Sequence, residues 1–408
     1  MHRALYVAEI AEEIAKACLI GNYDLESNLQ DVEGRAALFA LAQTCHALSE
    51  PALDALWSFQ HGLPNLIRTM PSDLWQDEET EHSTVDCNAE TQQWSTTQLH
   101  FIRRPETLDW MRFDYYAKRI RVFEYDEALC WVDVASNVYD AISARLTSLS
   151  SSLFPAAVSL RWEADIFFPY ISLFLSPSIR TLTISTVQAE ERLVDMLASL
   201  PAKCRYLKKL EVYSGTSSTM PPPSLSCWSE FQDVRGFADL HHSSDPMDWL
   251  PPLAALPDLL DLSLSISNST MHSTSLKTTI PFPSLSRLAL FTDNIPQCVR
   301  ILSSCQFDAL RDLTLNAYDG VTDTIRDFSL AMSQSIPSSS LRSFSVFDYS
   351  SRVANEAVSV DLSSLTGLLQ FSNMRRIRLD VRYTIHVADA SLCALSRGYW
   401  GHYLHSED

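Results

Sequence analysis

The chain has 408 residues, 46% of them hydrophobic, with a formal net charge of −19 and only nine glycines. Such a length can bury a large core, while the acidic balance excludes nucleic acid as a main partner, because phosphate binding needs a basic surface. The scarcity of glycine removes much of the enzyme catalogue: the sequence holds no Gly-x-Gly-x-x-Gly or P-loop, no Gly-x-Ser-x-Gly elbow, no His-Glu-x-x-His and no zinc-spaced cysteine set.

From Val7, the apolar residues Ile10, Ile14 and Cys18 recur as one helix face that ends near Gly21. A second helix is expected over roughly Asp31 to Leu48, carrying Leu38, Leu41, Ala42, Cys45 and Leu48. Ser49 can cap a third, with Pro51 in its first turn and Leu53, Leu56 and Trp57 on its apolar side. Three short helices bury little surface, so such a module tends to dock on something. Residues 61–116 read as an acidic connector, in which Asp77, Glu78, Glu79 and Glu81 are expected in a solvated, mobile loop. Residues 1–100 hold 16 Asp or Glu against 4 Lys or Arg, so −12 of the net charge lies there.

From 117 onward a repeat takes over. Leu285, Leu288 and Leu290 stand in Leu-x-x-Leu-x-Leu order, and Leu310, Leu313 and Leu315 repeat it 25 residues later. The x-Leu-x-Leu part alternates as a short strand does. Between the two copies, Asn294-Ile295-Pro296 punctuates the chain and Val299 and Leu302 mark a short helix. Strand, turn and helix in about 25 residues make one coil of a leucine-rich-repeat solenoid, and such coils need neighbours. The pattern recurs around Leu182, Leu210, Leu262, Phe344 and Ile377, with a degenerate unit near Phe231 to Phe237. Val158 with Leu160, and Ile120 with Val122, suggest earlier coils. The fold expected is α/β: a helical module over 1–60, the connector over 61–116, and an irregular solenoid with a C-terminal cap over 117–408. Its parallel strands would line a concave side, with helices and loops on the convex side.

On that concave side, the outward strand positions are Arg119, Arg121 and Phe123; Arg161; Lys209, Glu211 and Tyr213; Arg287 and Phe291; Asp312 and Asn316; Phe347; and Arg376, Arg378 and Asp380. Arginine and aromatic residues dominate protein interface hot spots, which makes this face the candidate substrate-binding surface. Thr216–Ser226 and Ser267–Thr279 read as polar insertions over one rim, and Leu392, Leu395 and Tyr399 as a capping helix. His241-His242 with Asp245 and Asp248 reads as a loop, and His402-x-x-His405 as a frayed terminus, so neither a metal site nor a cofactor is expected. Nine cysteines with no Cys-x-x-Cys pair suit buried free thiols in a reducing compartment. With no run of 18 apolar residues and with Glu9, Glu12 and Glu13 where a signal peptide needs an apolar stretch, a cytoplasmic or nuclear protein without membrane association is expected.

The order Ala4-Leu5-Tyr6-Val7-Ala8-Glu9-Ile10, then Leu38 to Leu48, then Ser49-Glu50-Pro51-Ala52-Leu53-Asp54-Ala55-Leu56-Trp57, resembles the F-box. The likeness is to the F-box and leucine-rich-repeat proteins of basidiomycete fungi, whose following segment also looks like Asp109-Trp110-Met111-Arg112-Phe113 and Tyr116 to Arg121. Where that family usually has proline before the glutamate, this chain has Ala8. The resemblance implies a non-enzymatic substrate-recognition subunit of an SCF-type ubiquitin ligase. Its Skp adaptor, and through it a cullin scaffold, would be held by Leu5, Val7, Glu9, Ile10, Ile14, Leu38, Cys45, Leu48, Pro51, Leu53 and Trp57, while the solenoid would hold a protein substrate. The alternative is a repeat scaffold or regulator that binds a protein partner without the ligase, its first helices serving as a cap.

Overall fold

In the computed structural model of the protein, the described residues are 8–18, 32–85, 91–127, 132–149, 152–186, 190–214, 231, 233–239, 246–266, 279–318, 325–349, 360–361, 367–380 and 385–386. Leu5 and Val7, the two polar insertions over 216–226 and 267–278, the His241–Asp245 cluster and the cap with its histidine pair lie outside them. The chain divides into two compact units, Met1–Thr181 and Leu182–Asp408.

The first unit opens with α1 (Ala8–Ala17), α2 (Val32–Thr44) and α3 (His46–Ser58), and α3 packs against both of the others. The long second helix expected over 31–48 is two helices. Cys45 is extended, with φ −163° and ψ 159°, so the break falls there and α3 begins at His46 rather than after Ser49. Pro51 consequently sits inside α3, where it removes one backbone donor. The helix then runs directly into β1 (Phe59–His61), a strand with no Leu-x-x-Leu signature.

After the one-turn α4 (Pro64–Ile67), β2 (Trp75–Val85) and β3 (Thr91–Phe101) form an antiparallel hairpin in which Trp75 faces Phe101 and Val85 faces Thr91. The acidic run expected in a mobile loop therefore lies in a strand. Asp77, Glu78 and Glu79 are exposed, Asp77 pairing with Arg68 at 2.9 Å, while Leu74, Leu99 and Phe101 supply the buried side. Next come α5 (Trp110–Ala117), β4 (Val122–Asp126), β5 (Val132–Val134), α6 (Ser136–Leu149) and β6 (Ser159–Glu163). β5 extends the hairpin in parallel, and β1, β4 and β6 are parallel neighbours in that order.

At β4 the repeat register differs from the expectation by one residue. Gln60, Phe123 and Leu160 stand opposite one another, and Phe123, Tyr125 and Trp162 are buried in an aromatic cluster with Phe154 and Phe174. Phe123, expected to face outward, is thus core. Ile120 occupies the first position of the motif, not a strand position, and the pattern reads Ile120-x-x-Phe123-x-Tyr125.

The second unit comprises β7 (Thr181–Thr186, beginning at the boundary), α7 (Glu190–Lys203), β8 (Lys209–Ser214), β9 (Gly236–Asp239), α8 (Pro246–Ala254), β10 (Asp261–Ile266), β11 (Ile280–Phe282) and β12 (Arg287–Thr292). It continues with α9 (Ile295–Ser304), β13 (Cys305–Phe307), β14 (Asp312–Ala317), α10 (Ile325–Ser335), β15 (Ser343–Asp348), β16 (Val360–Asp361), β17 (Arg376–Asp380) and β18 (Ile385–His386). The sheet order is β7-β8-β9-β10-β12-β14-β15-β17, and neighbouring strands from β8 to β17 all pair in parallel. Two smaller parallel ladders join β11 to β13 and β16 to β18.

The register follows the leucine spacing at every one of those pairs: Leu210, Phe237, Leu262, Leu288, Leu313, Phe344 and Ile377 stand in one row across the sheet. The degenerate unit near Phe237 is the strand β9. Leu290 and Leu315 are fully buried, each worth about 2 kcal/mol on transfer from water. A helix of the expected kind follows β12, but its buried stripe is Ile295, Cys298, Ile301 and Leu302, with Val299 half-covered. The unit is therefore a mixed α/β array built on a parallel sheet, in which β8, β10, β12 and β14 bury their aliphatic row and Ile377 and Leu379 of β17 are half-covered.

Candidate functional site

Two surfaces, one in each unit, hold most of the residues singled out in the sequence. The first belongs to the three helices. Their core is Ala15, Leu38 and Ala52, surrounded by Cys18, Leu41, Ala42, Ala55 and Leu56. Alanines at two of the three central positions let the helices approach closely, but they bury little area. Because Ala11 and Ala15 point inward, the neighbouring apolar residues do not: Ile10 is 40% exposed, and Phe39 of α2 is 57% exposed. Glu9 is exposed, Ile14, Cys45, Pro51, Leu53 and Trp57 are half-covered, and Leu38 and Leu48 are buried. The expected docking set thus splits between side chains that hold the module together and side chains that water or a partner can reach.

Arg119, Tyr115 and Tyr116 fasten the module to the rest of its unit. Arg119, placed by the sequence on the sheet face, is instead buried behind α3, with its side chain 3% exposed. It donates to Oε2 of Glu50 at 2.6 Å and to Oδ1 of Asp54, and it lies over the Tyr115 ring at 4.5 Å. Burial alone would lower its pKa, yet the hydrogen bonds and charges of Glu50 and Asp54 outweigh that and raise it. Glu50 is held below the usual carboxylate range by its bond from Arg119 and a second from the Tyr115 hydroxyl at 2.7 Å. Trp57 stacks on Tyr116 with centroids 4.4 Å apart, so α3 and α5 are joined twice. Arg121 is exposed and precedes β4 rather than lying on it.

The second surface is the exposed face of the sheet in the second unit, where side chains form three rows across the strands. Nearest the strand starts are Lys209, Gly236, Asp261, Arg287, Asp312, Ser343 and Arg376. The middle row is Glu211, Ala238, Ser263, Ala289, Thr314, Ser345 and Arg378. Toward the strand ends lie Ser265, Phe291, Asn316, Phe347 and Asp380, with Tyr213 at the same level on β8. Small side chains in the middle make a shallow depression of about 300 Å³, walled by Lys209, Glu211, Asp261, Arg287 and Asp312. Gly236 matters to that wall, since a Cβ there would come within 3.3 Å of the Lys209 Cγ.

Several of these charges are already paired. Lys209 binds Glu211 at 2.6 Å, and Glu211 also accepts from the Thr183 hydroxyl at 2.9 Å. Arg287 grips Asp261 with two hydrogen bonds, which raise the arginine pKa. In the first unit, Arg161 is exposed on its strand as expected and pairs with Glu163. Arg378 lies over the Phe347 ring at 4.9 Å, and Asn316, expected outward, is covered. Sequence reasoning missed Tyr318 and Tyr349, which stack at 5.7 Å with about half of each exposed. Their signal was an aromatic residue one or two positions past the strand pattern in successive coils. Among the described residues, no group of three His, Cys, Asp or Glu side chains is placed to hold a metal, and no helix is long and apolar enough to cross a membrane.

No protein-family model matches the chain, and no curated protein matches it.

Proposed function

We propose that the chain is the substrate-recognition subunit of an SCF-type ubiquitin ligase, the helical module binding the Skp adaptor and the exposed sheet face binding a protein substrate. The observation that carries this reading is the composition of the module: a core of alanines leaves Ile10 and Phe39 open to solvent, as expected of helices that complete their burial on a partner. The fastening of α3 by Arg119 and Trp57 fits the same reading, because a helix already held in place loses less conformational freedom when it docks on a partner. F-box residues and leucine-rich coils are what the sequence resembles, and the strand register agrees with the spacing of those coils.

A second reading has its own support. Because α3 runs straight into β1, the helices can be the N-terminal cap of a binding scaffold that has no ligase. Co-purification of the full-length chain with a fungal Skp adaptor separates the two, with Ile10→Asp as the variant. Deleting residues 1–60 is the poorer control, since it would strip α3 from Tyr115, Tyr116 and Arg119 and remove most of β1 from beside β4. Retention of adaptor by the native chain and its loss in a still-folded Ile10→Asp supports the ligase reading; no retention by either leaves the scaffold.

A further inference from the structure

Each coil of the second unit places two residues between its first buried leucine position and the central one of its strand. Across Leu207, Val234, Leu259, Leu285, Leu310, Leu341 and Met374 these fourteen positions hold eight Lys or Arg and two Asp, in a chain where 31 of 408 residues are basic. About one basic residue would be expected by composition, so the strand starts form a basic rim in an acidic protein. Lys209 and Arg287 are paired, and Asp261 is engaged with Arg287. Lys208, Arg235, Arg311, Arg342, Arg375 and Arg376 are all exposed, and no carboxylate among the described residues forms an ion pair with them.

Their spacing is fixed by the backbone. The Arg342 amide donates to the Arg311 carbonyl at 2.7 Å, and the Arg375 amide to the Arg342 carbonyl at 2.7 Å, so three arginines stand at one level on successive strands. Strands lie about 4.8 Å apart, and like charges at that separation repel. An arrangement that costs stability in the free protein is relieved when carboxylates lie along it.

We propose that this rim is the docking line for an acidic segment of a partner protein, laid across the strand starts with its Asp and Glu side chains on the arginines. The inference rests on the reading that the sheet face binds a protein, and it assigns that protein's chemistry. A polyanion such as nucleic acid fits less well, because the net charge of −19 repels it while a short acidic segment meets only the local field.

The test uses the full chain and a fluorescein-labelled Glu/Ser peptide, with the Gln/Ser peptide of the same length and a single-stranded oligonucleotide as alternatives, read by anisotropy. The Glu/Ser peptide should bind about tenfold more tightly than its Gln counterpart and weaken as salt is raised. Arg311→Gln/Arg342→Gln/Arg375→Gln should lose about tenfold in affinity while melting no lower than the native chain, since it removes repulsion rather than packing. Equal binding of the two peptides, or an unchanged affinity in the triple variant, overturns the proposal; tighter binding of the oligonucleotide overturns the partner class. Adaptor co-purification is read separately on the native chain: adaptor retained while the peptides fail to discriminate sinks only this inference, and no adaptor retained with rim-dependent peptide binding sinks only the ligase.

Discussion

Arg119 reaches Glu50 at 2.6 Å although 69 residues of chain separate them, and the same guanidinium holds Asp54. The two carboxylates are more than half exposed, so without the arginine they would remain solvated and only its own bonds and packing would be lost. Arg119→Met, which keeps volume, should therefore lower stability by roughly 1.5–3 kcal/mol, the range for hydrogen bonds to charged groups. Urea unfolding followed by circular dichroism measures it. An unchanged midpoint would show that the helices are not held by this contact.

Glu50 also predicts a pH dependence. Its folded pKa lies below its unfolded one, chiefly through the Arg119 hydrogen bond, so its contribution is fully present above the ordinary carboxylate range. It is lost as pH falls from that range through the depressed folded value. Melting curves across acidic pH should fall less steeply for Glu50→Gln than for the native chain, and parallel curves would remove Glu50 from the account.

Two positions of the helical module should respond in opposite ways. Ile10→Asp changes a side chain already 40% exposed, so stability should move by less than about 0.5 kcal/mol while adaptor retention falls. Leu38→Asp puts a charge where no solvent reaches and should unfold the module. Proteolysis of the two variants distinguishes these outcomes.

In the sheet, Leu290→Ala or Leu315→Ala should each cost about 2–5 kcal/mol, because both side chains are fully covered and neighbours on adjacent strands cannot collapse onto the space without losing register. Thermal melting of each single variant is the measurement, and a cost under 1 kcal/mol, on the order of a surface change, would contradict the packing described.

Burial pushes the thiols of Cys298 and Cys305 up to about 12. They should stay protonated and resist iodoacetamide near neutral pH in the folded chain, then react once urea exposes them. Peptide mass spectrometry reads both states. Rapid labelling of the native protein at either residue would place these thiols at the surface.

Much of the second unit was legible because leucine spacing carries its own check: a pattern that repeats every 25 or so residues must align strand against strand, and Leu262, Leu288 and Leu313 do. At β4 the same logic slipped by one residue, since Phe123 and Tyr125 fill the positions that leucine fills elsewhere and the more leucine-like Ile120 and Val122 lie beside them. The hairpin was hidden for a different reason. Its acidic residues look like a solvated loop, and strand pairing there is set by backbone bonds and a few buried partners such as Leu99, which local composition does not reveal. Arg119 was out of reach altogether, because an arginine beside a strand pattern reads as surface, and only the fold brings Glu50 to it.

Leu210, Phe237, Leu262, Leu288, Leu313, Phe344 and Ile377 share one row, yet they are separated along the chain by 27, 25, 26, 25, 31 and 33 residues. Pairing in this sheet is therefore indifferent to how much chain each crossover spends. A lineage could lengthen or shorten a crossover without disturbing the face its neighbours build, so the architecture lets length drift in one place while the rows of side chains stay aligned in another.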